Sequence, residues 1–268
     1  MSIATNGDVD IYYEVDGPAD AETVVLVEGL GYGRWMWQWQ REALAERYQT
    51  IVWDNRGTGD SDAPDGPYTV AEMASDLEAV LDDRGTESAH VVGASMGGMI
   101  AQRYALDHDR AATLSLICTS PGRDEAVEAS EAVQRRMVAE PDGYDEREVI
   151  RHRMAPAMTD EFRKANDDLL ERIVDWRLAG DAVEAAREAQ LAAVGAFDVS
   201  DRLEEIEIPA LVAHGTADRV VPFENGELLA DSLPNARFEP FEGGPHLFFI
   251  EQSEAVNETL LGFLDSHV

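Results

Sequence analysis

Among the 268 residues, the sharpest chemical signal is Gly93-Ala94-Ser95-Met96-Gly97, followed by Gly98. His90-Val91-Val92 reads as a strand entering this segment, and Met99 to Ala105 reads as a helix leaving it. A strand-to-helix turn this tight strains the serine backbone and exposes its hydroxyl, while small neighbours let the two arms approach. The helix N-terminus adds partial positive charge where an oxyanion would form. A serine hydroxyl needs a base, and six histidines compete for that role. His90 and His214 fall inside strands, His108 ends a helix, His152 lies in a helical stretch and His267 is beside the terminus. His246 follows Gly243-Gly244-Pro245, in a loop beyond the strand-like Ala236 to Phe241, and is the expected base. Asp218, just past the strand-like Ala210 to Ala213, is the expected orienting acid; Asp124 is the fallback.

These residues need a scaffold that gathers strand ends. Val24 to Val27, Ile51 to Trp53, Ala89 to Val92, Leu114 to Ile117 and Ala210 to Ala213 are short apolar runs, as expected of strands covered on both faces. Val9 to Val15 alternates imperfectly and reads as an edge strand. Helical patterns intervene at Met36–Tyr48, Val70–Arg84, Met96–Asp107 and Phe223–Leu233, with a last one at Glu251–Phe263. Strands alternating with helices predict an α/β fold with a mostly parallel sheet. From Gly122 to Gly195 the alternation stops, and three to five short helices are expected there.

The chain resembles an α/β-hydrolase of the esterase and enol-lactonase-like group. The resemblance rests on Val27-Glu28-Gly29-Leu30-Gly31, Asp54 to Asp62, Gly93 to Gly98, His214 to Pro222 and Gly243-Gly244-Pro245-His246. The order Ser95, Asp218, His246 matches that family and differs from the chymotrypsin and subtilisin orders. The resemblance implies a core of residues 1–121 and 196–268, and a helical cap of residues 122–195 over the site. It also implies oxyanion donors at the backbone N–H of Leu30 and Met96. The family has His-Gly where this chain has Glu28-Gly29. Glu28 is expected to pair with Arg56 or Arg34 and shape the loop; the sharper reading gives it a chemical effect. Trp35 and Trp37, with Trp39 in the same alternation, suit either a pocket wall or plain packing, and Met137 and Phe162 are further pocket candidates.

The implied chemistry is hydrolysis of a small ester or lactone through an acyl-enzyme, with enol-lactone hydrolysis, perhydrolysis of the haloperoxidase-like kind and acyl transfer as alternatives. A ligand receptor with a vestigial triad is the alternative from outside enzymology. Epoxide and haloalkane hydrolysis in this fold use an aspartate where Ser95 stands. No metal or cofactor is expected, since the sequence shows neither a Cys/His ligand pattern nor a phosphate loop; Asp54 to Asp62 is glycine-rich but opens no helix.

Composition narrows the partners. Fifty-four Asp and Glu face 21 Lys and Arg, for a net charge of −33, and Lys164 is the sole lysine. Acidic excess with lysine scarcity reads as adaptation to a salty cytoplasm, since molar salt screens the self-repulsion. Such a surface repels nucleic acid and anionic lipid. Cys118, the single cysteine, lies in an apolar run and reads as a core thiol without a disulfide partner. Residues 1–7 lack signal-peptide features, and no apolar run approaches a membrane span, so a cytoplasmic monomer or homodimer is expected.

Overall fold

A computed structural model describes residues 2–122 and 124–267. Eight strands form one sheet: β1 (Ser2–Asn6), β2 (Val9–Asp16), β3 (Thr23–Val27), β4 (Gln49–Trp53), β5 (Ala89–Ala94), β6 (Ala111–Ile117), β7 (Ala210–Gly215) and β8 (Ala236–Phe241). Their spatial order is β1-β2-β4-β3-β5-β6-β7-β8, and every pairing from β4 to β8 is parallel. β3, β4, β5 and the last five residues of β6 are buried throughout, which explains their unbroken apolar runs. The strand expected at the edge, β2, is interior. It pairs antiparallel with β4 on one side and with β1 on the other, so β1 is the edge. Ser2 to Asn6 carries only Ile3 and Ala4 as apolar residues, too weak a pattern to announce a strand.

The framework helices are α1 (Gln38–Leu44), α2 (Val70–Arg84), α3 (Met96–Asp107), α9 (Glu224–Ser232), α10 (Phe248–Glu251) and α11 (Ser253–Leu264). α2 starts where Thr69 and Glu72 form a reciprocal capping box and stops at Gly85, whose φ of 72° suits glycine. The expected helix at Met36–Tyr48 is divided: Arg34–Trp37 is a 3-10 turn and only Gln38–Leu44 is α-helical. One apolar cluster packs α2 and α3 against one face of the sheet, and a second packs α1 and α11 against the other.

Between β6 and β7 the described residues form α4 (Glu131–Val138), α5 (Glu146–Met154), α6 (Asp160–Ala165), α7 (Asp167–Gly180) and α8 (Glu184–Ala196). Both ends of this segment meet at a bridge between Gly122 and Asp198. Gly122 has φ 128°, and a Cβ there would lie 2.4 Å from Asp198 Cα, so the closure requires glycine.

Candidate active site

β5 to β8 run in one direction, so the residues that follow them share one edge of the sheet. Ser95 follows β5 directly and is the N-cap of α3, with φ 54° and ψ −119°. This left-handed φ is the strain expected of a serine on a tight strand-to-helix turn, and Ser95 is half-buried there. The turn closes because Gly93 and Gly97 lack side chains: a Cβ on Gly97 would lie 2.0 Å from Val27 O. Thr119 Oγ1 donates to Ser95 O at 2.7 Å and fixes the turn from the side of β6.

Asp218 follows β7 and His246 follows β8. His246 Nδ1 donates to Asp218 Oδ2 at 2.8 Å, and both residues are buried. Asp218 Oδ1 accepts from the amides of Val220 (2.8 Å) and Val221 (3.0 Å), so both oxygens have fixed tasks. Burial opposes its charge, but the facing His246 and the hydrogen bonds prevail and hold it at about 2. Burial likewise disfavours the His246 cation, and the Asp218 carboxylate overrides it, raising the imidazole well above its ordinary value. Asp124, the fallback acid, is exposed, and its amide donates to Asp198 Oδ2 at 2.6 Å.

Among the described residues no hydrogen bond joins Ser95 Oγ to His246. The two residues meet instead around Cys118, which follows the intervening strand β6. Its sulfur lies within 4.8 Å of the His246 imidazole. Cys118 is fully buried with φ 43°, and burial keeps it a neutral thiol. Cys118, Asp218 and His246 offer polar atoms within 4.8 Å of one another, a convergence that sequence spacing did not suggest. A neutral thiol and a carboxylate whose oxygens are already committed make a poor metal cage. His214, fully buried, puts Nε2 at 2.9 Å from Val221 O and 3.5 Å from Asp218 Oδ2, adding a second imidazole behind the acid. The i,i+4 spacing of His214 and Asp218 was the available signal for that contact.

The loop after β3 supplies amides. Gly31 N–H donates to Gln190 Oε1 (2.8 Å) and Gly29 N–H meets Met36 Sδ (3.2 Å). The N–H groups of Leu30 and Met96 find no acceptor among the described residues, which leaves both available to an oxyanion. Glu28 corrects an expectation. Arg34 pairs with Asp54, Glu14 and Asp60, and Arg56 grips Asp76 through two nitrogens at 2.6 and 2.7 Å, so neither reaches Glu28. Fully buried, Glu28 accepts instead from Asn55 N–H at 2.5 Å, and its Oε2 has no partner. Burial, reinforced by Asp54, pushes it well above the ordinary carboxylate range, which favours its neutral form beside the oxyanion loop. Asp54 itself accepts from the amides of Arg34 and Asp60, which makes Asp54–Asp62 a structural loop.

The tryptophans separate. Trp37 is fully buried, with its ring 5.4 Å from Phe249, so it belongs to the core and not to a pocket wall. Alternate residues share a face only in a strand, and this segment is helical. Trp35 and Trp39, four apart, both face Trp176 of α7 at 6.0 and 6.2 Å. Trp35 also donates to Asp181. Met137 is half-buried on α4, and its carbonyl accepts from Arg187 at 3.1 Å. Phe162 is half-buried on α6 against the second apolar cluster. The inserted helices also hold the loops of the site: Leu247 N–H donates to Ala157 O, and Arg219 to Met158 O.

Comparison with known proteins agrees with this fold. The profile of the family described as "alpha/beta hydrolase fold" matches residues 22–253. A protein of Azorhizobium caulinodans named "Putative carbamate hydrolase RutD" is 32% identical over 98% of both chains. The crystal structure of a hydrolase from Pseudomonas aeruginosa PA01 superposes with a TM-score of 0.86 at 29% identity, covering 98% of this chain and 97% of its own. That of the enol-lactonase from Burkholderia xenovorans LB400 does so with a TM-score of 0.85 at 27% identity, covering 98% and 100%.

Proposed function

The chain belongs to the α/β-hydrolase fold family, and from that premise we propose that it cleaves a small carboxylic ester or lactone through an acyl-enzyme on Ser95. The observation that carries the reading is the buried His246–Asp218 contact at the strand edge where Ser95 holds a left-handed φ. In this reading His246, once neutral, takes the Ser95 proton as Oγ attacks the carbonyl carbon. The N–H groups of Leu30 and Met96 receive the tetrahedral oxyanion. The imidazolium then gives its proton to the leaving oxygen, and Asp218 steadies that cation. Water, deprotonated by the same imidazole, releases the acid and restores Ser95. Residues 122–195 act as a cap that keeps bulk water from the site, with Trp35, Met137 and Phe162 as candidate pocket residues. Hydrogen bonds to Ser95 that are absent at rest form in the substrate complex.

A carbamate carbonyl is open to the same attack, and the resemblance to "Putative carbamate hydrolase RutD" favours it as a second substrate class. A panel of p-nitrophenyl esters of graded chain length, an enol-lactone and a p-nitrophenyl carbamate tests the reading, with Ser95→Ala as control. Turnover of an ester or lactone that disappears in Ser95→Ala is expected. Turnover that survives Ser95→Ala refutes the reading. Ligand binding without turnover of any class assigns the protein to the receptors that share this fold.

A further inference from the structure

Arg187 is out of place in a chain of net charge −33. Most of its arginines are ion-paired, yet Arg187, half-buried, meets no carboxylate within ion-pair distance among the described residues. Its one hydrogen bond goes to Met137 O at 3.1 Å, which leaves four of its five N–H groups uncommitted. The neighbouring charges do not explain it. Arg153 is satisfied by Glu140 and Arg177 by Asp181, and both guanidinium groups stand close enough to repel a third. Burial and these two cations together depress its basicity, against a smaller opposing pull from Tyr32 and Asp181, so holding Arg187 there costs free energy.

Its position gives that cost a use. Arg187 and Gln190 are one turn apart on α8 and present the same face. Gln190 binds Gly31 N–H at 2.8 Å and Arg56 O at 2.9 Å, which pins that face to the oxyanion loop. Cγ and Cδ of Arg187 lie 3.6 Å from where a Cβ on Gly31 would sit. Gly31 adjoins Leu30, so the stem of Arg187 packs against the loop that carries the proposed oxyanion donor.

We propose that Arg187 receives a carboxylate carried by the substrate, which makes the preferred substrate a monoanionic ester or lactone with a short spacer between its carboxylate and its scissile carbonyl. The proposal rests on the ester-hydrolysis reading above and adds the substrate's charge. Arginine suits a bidentate carboxylate, and the strongly negative surface makes a local cation necessary for holding an anion at all.

The test compares mono-p-nitrophenyl adipate with p-nitrophenyl hexanoate at one fixed ionic strength, in wild type, Arg187→Met and Arg187→Lys. Methionine keeps much of the packing stem and removes the charge. The ratio of kcat/KM for the anionic over the neutral ester should fall about 10- to 100-fold in Arg187→Met and recover in part in Arg187→Lys. A ratio within twofold of wild type overturns the proposal, because a purely structural Arg187 would affect both esters alike. Calorimetric binding of adipate to Ser95→Ala, with and without Arg187→Met, separates the two readings. Binding that depends on Arg187, without turnover of either ester, keeps the carboxylate subsite and rejects the esterase. Ester turnover with an unchanged ratio, or adipate binding that is absent or indifferent to Arg187, does the reverse.

Discussion

Replacing Gly93 by alanine probes how the sheet builds the reactive turn. A Cβ at this position would lie 2.2 Å from Gly97 O, 2.5 Å from Gly97 C and 2.8 Å from Gly98 N. All three are backbone atoms, so no side-chain rotation relieves the overlap. Reaching ordinary contact requires a shift of about 1 Å between the end of β5 and the start of α3, the two arms that hold Ser95. Overpacking of this kind costs about 1–3 kcal/mol, and a displacement of about 1 Å at the nucleophile costs about 100-fold in rate. Gly262 is the matched control: it lies in α11 with nothing within 4 Å of its Cβ position. Alanine there should stabilise by about 0.5–1 kcal/mol and leave the rate alone. The assay is kcat/KM on p-nitrophenyl butyrate with a thermal melt of each variant. A Gly93→Ala protein with wild-type rate and melting temperature would refute the account of the turn.

Further outcomes follow from the charges. Because Asp218 raises His246, the rising limb of kcat/KM with pH should inflect above about 6.5. Asp218→Asn should lower both the inflection and the rate, the latter by about 10⁴-fold, and a limb centred below 6.5 in wild type would contradict this. The raised imidazole also stabilises the fold below its unfolded value, a contribution lost as pH rises through the folded value. Glu28 is raised as well, so its burial erodes stability as pH climbs past the ordinary carboxyl range. Glu28→Gln should therefore gain melting temperature over wild type at pH 8 and little or nothing at pH 4, whereas a constant difference would show Glu28 to be charged in the fold. With a net charge of −33, activity and melting temperature should rise from dilute buffer to molar KCl, and full stability without salt would end the reading of a salt-adapted surface.

The elements that place the candidate site were legible because local rules agree with the global fold there. α2 and α3 have the bounds their patterns predict, since a capping box and a strand-to-turn transition fix their starts. Ser95, Asp218 and His246 could be named because each follows a readable strand. Contacts across the sheet were not legible. Cys118 reads as a core thiol, and only the order β5-β6-β7 brings the residue after β6 between the serine and the histidine. The partner of Glu28 was misjudged because nearby arginines suggested ion pairs, whereas their guanidinium groups are spent on Asp54 and Asp76. For Trp37 the sequence left a pocket wall and plain packing open, and the 3-10 turn leading into a helix sends it to the core.

Peptide mapping after treatment with a fluorophosphonate asks most directly whether Ser95 is an activated nucleophile. The account predicts one covalent adduct, on Ser95, absent from Ser95→Ala and formed far more slowly in a His246→Ala protein of unchanged melting temperature. An unlabelled wild-type protein, or an adduct on another residue, would contradict it.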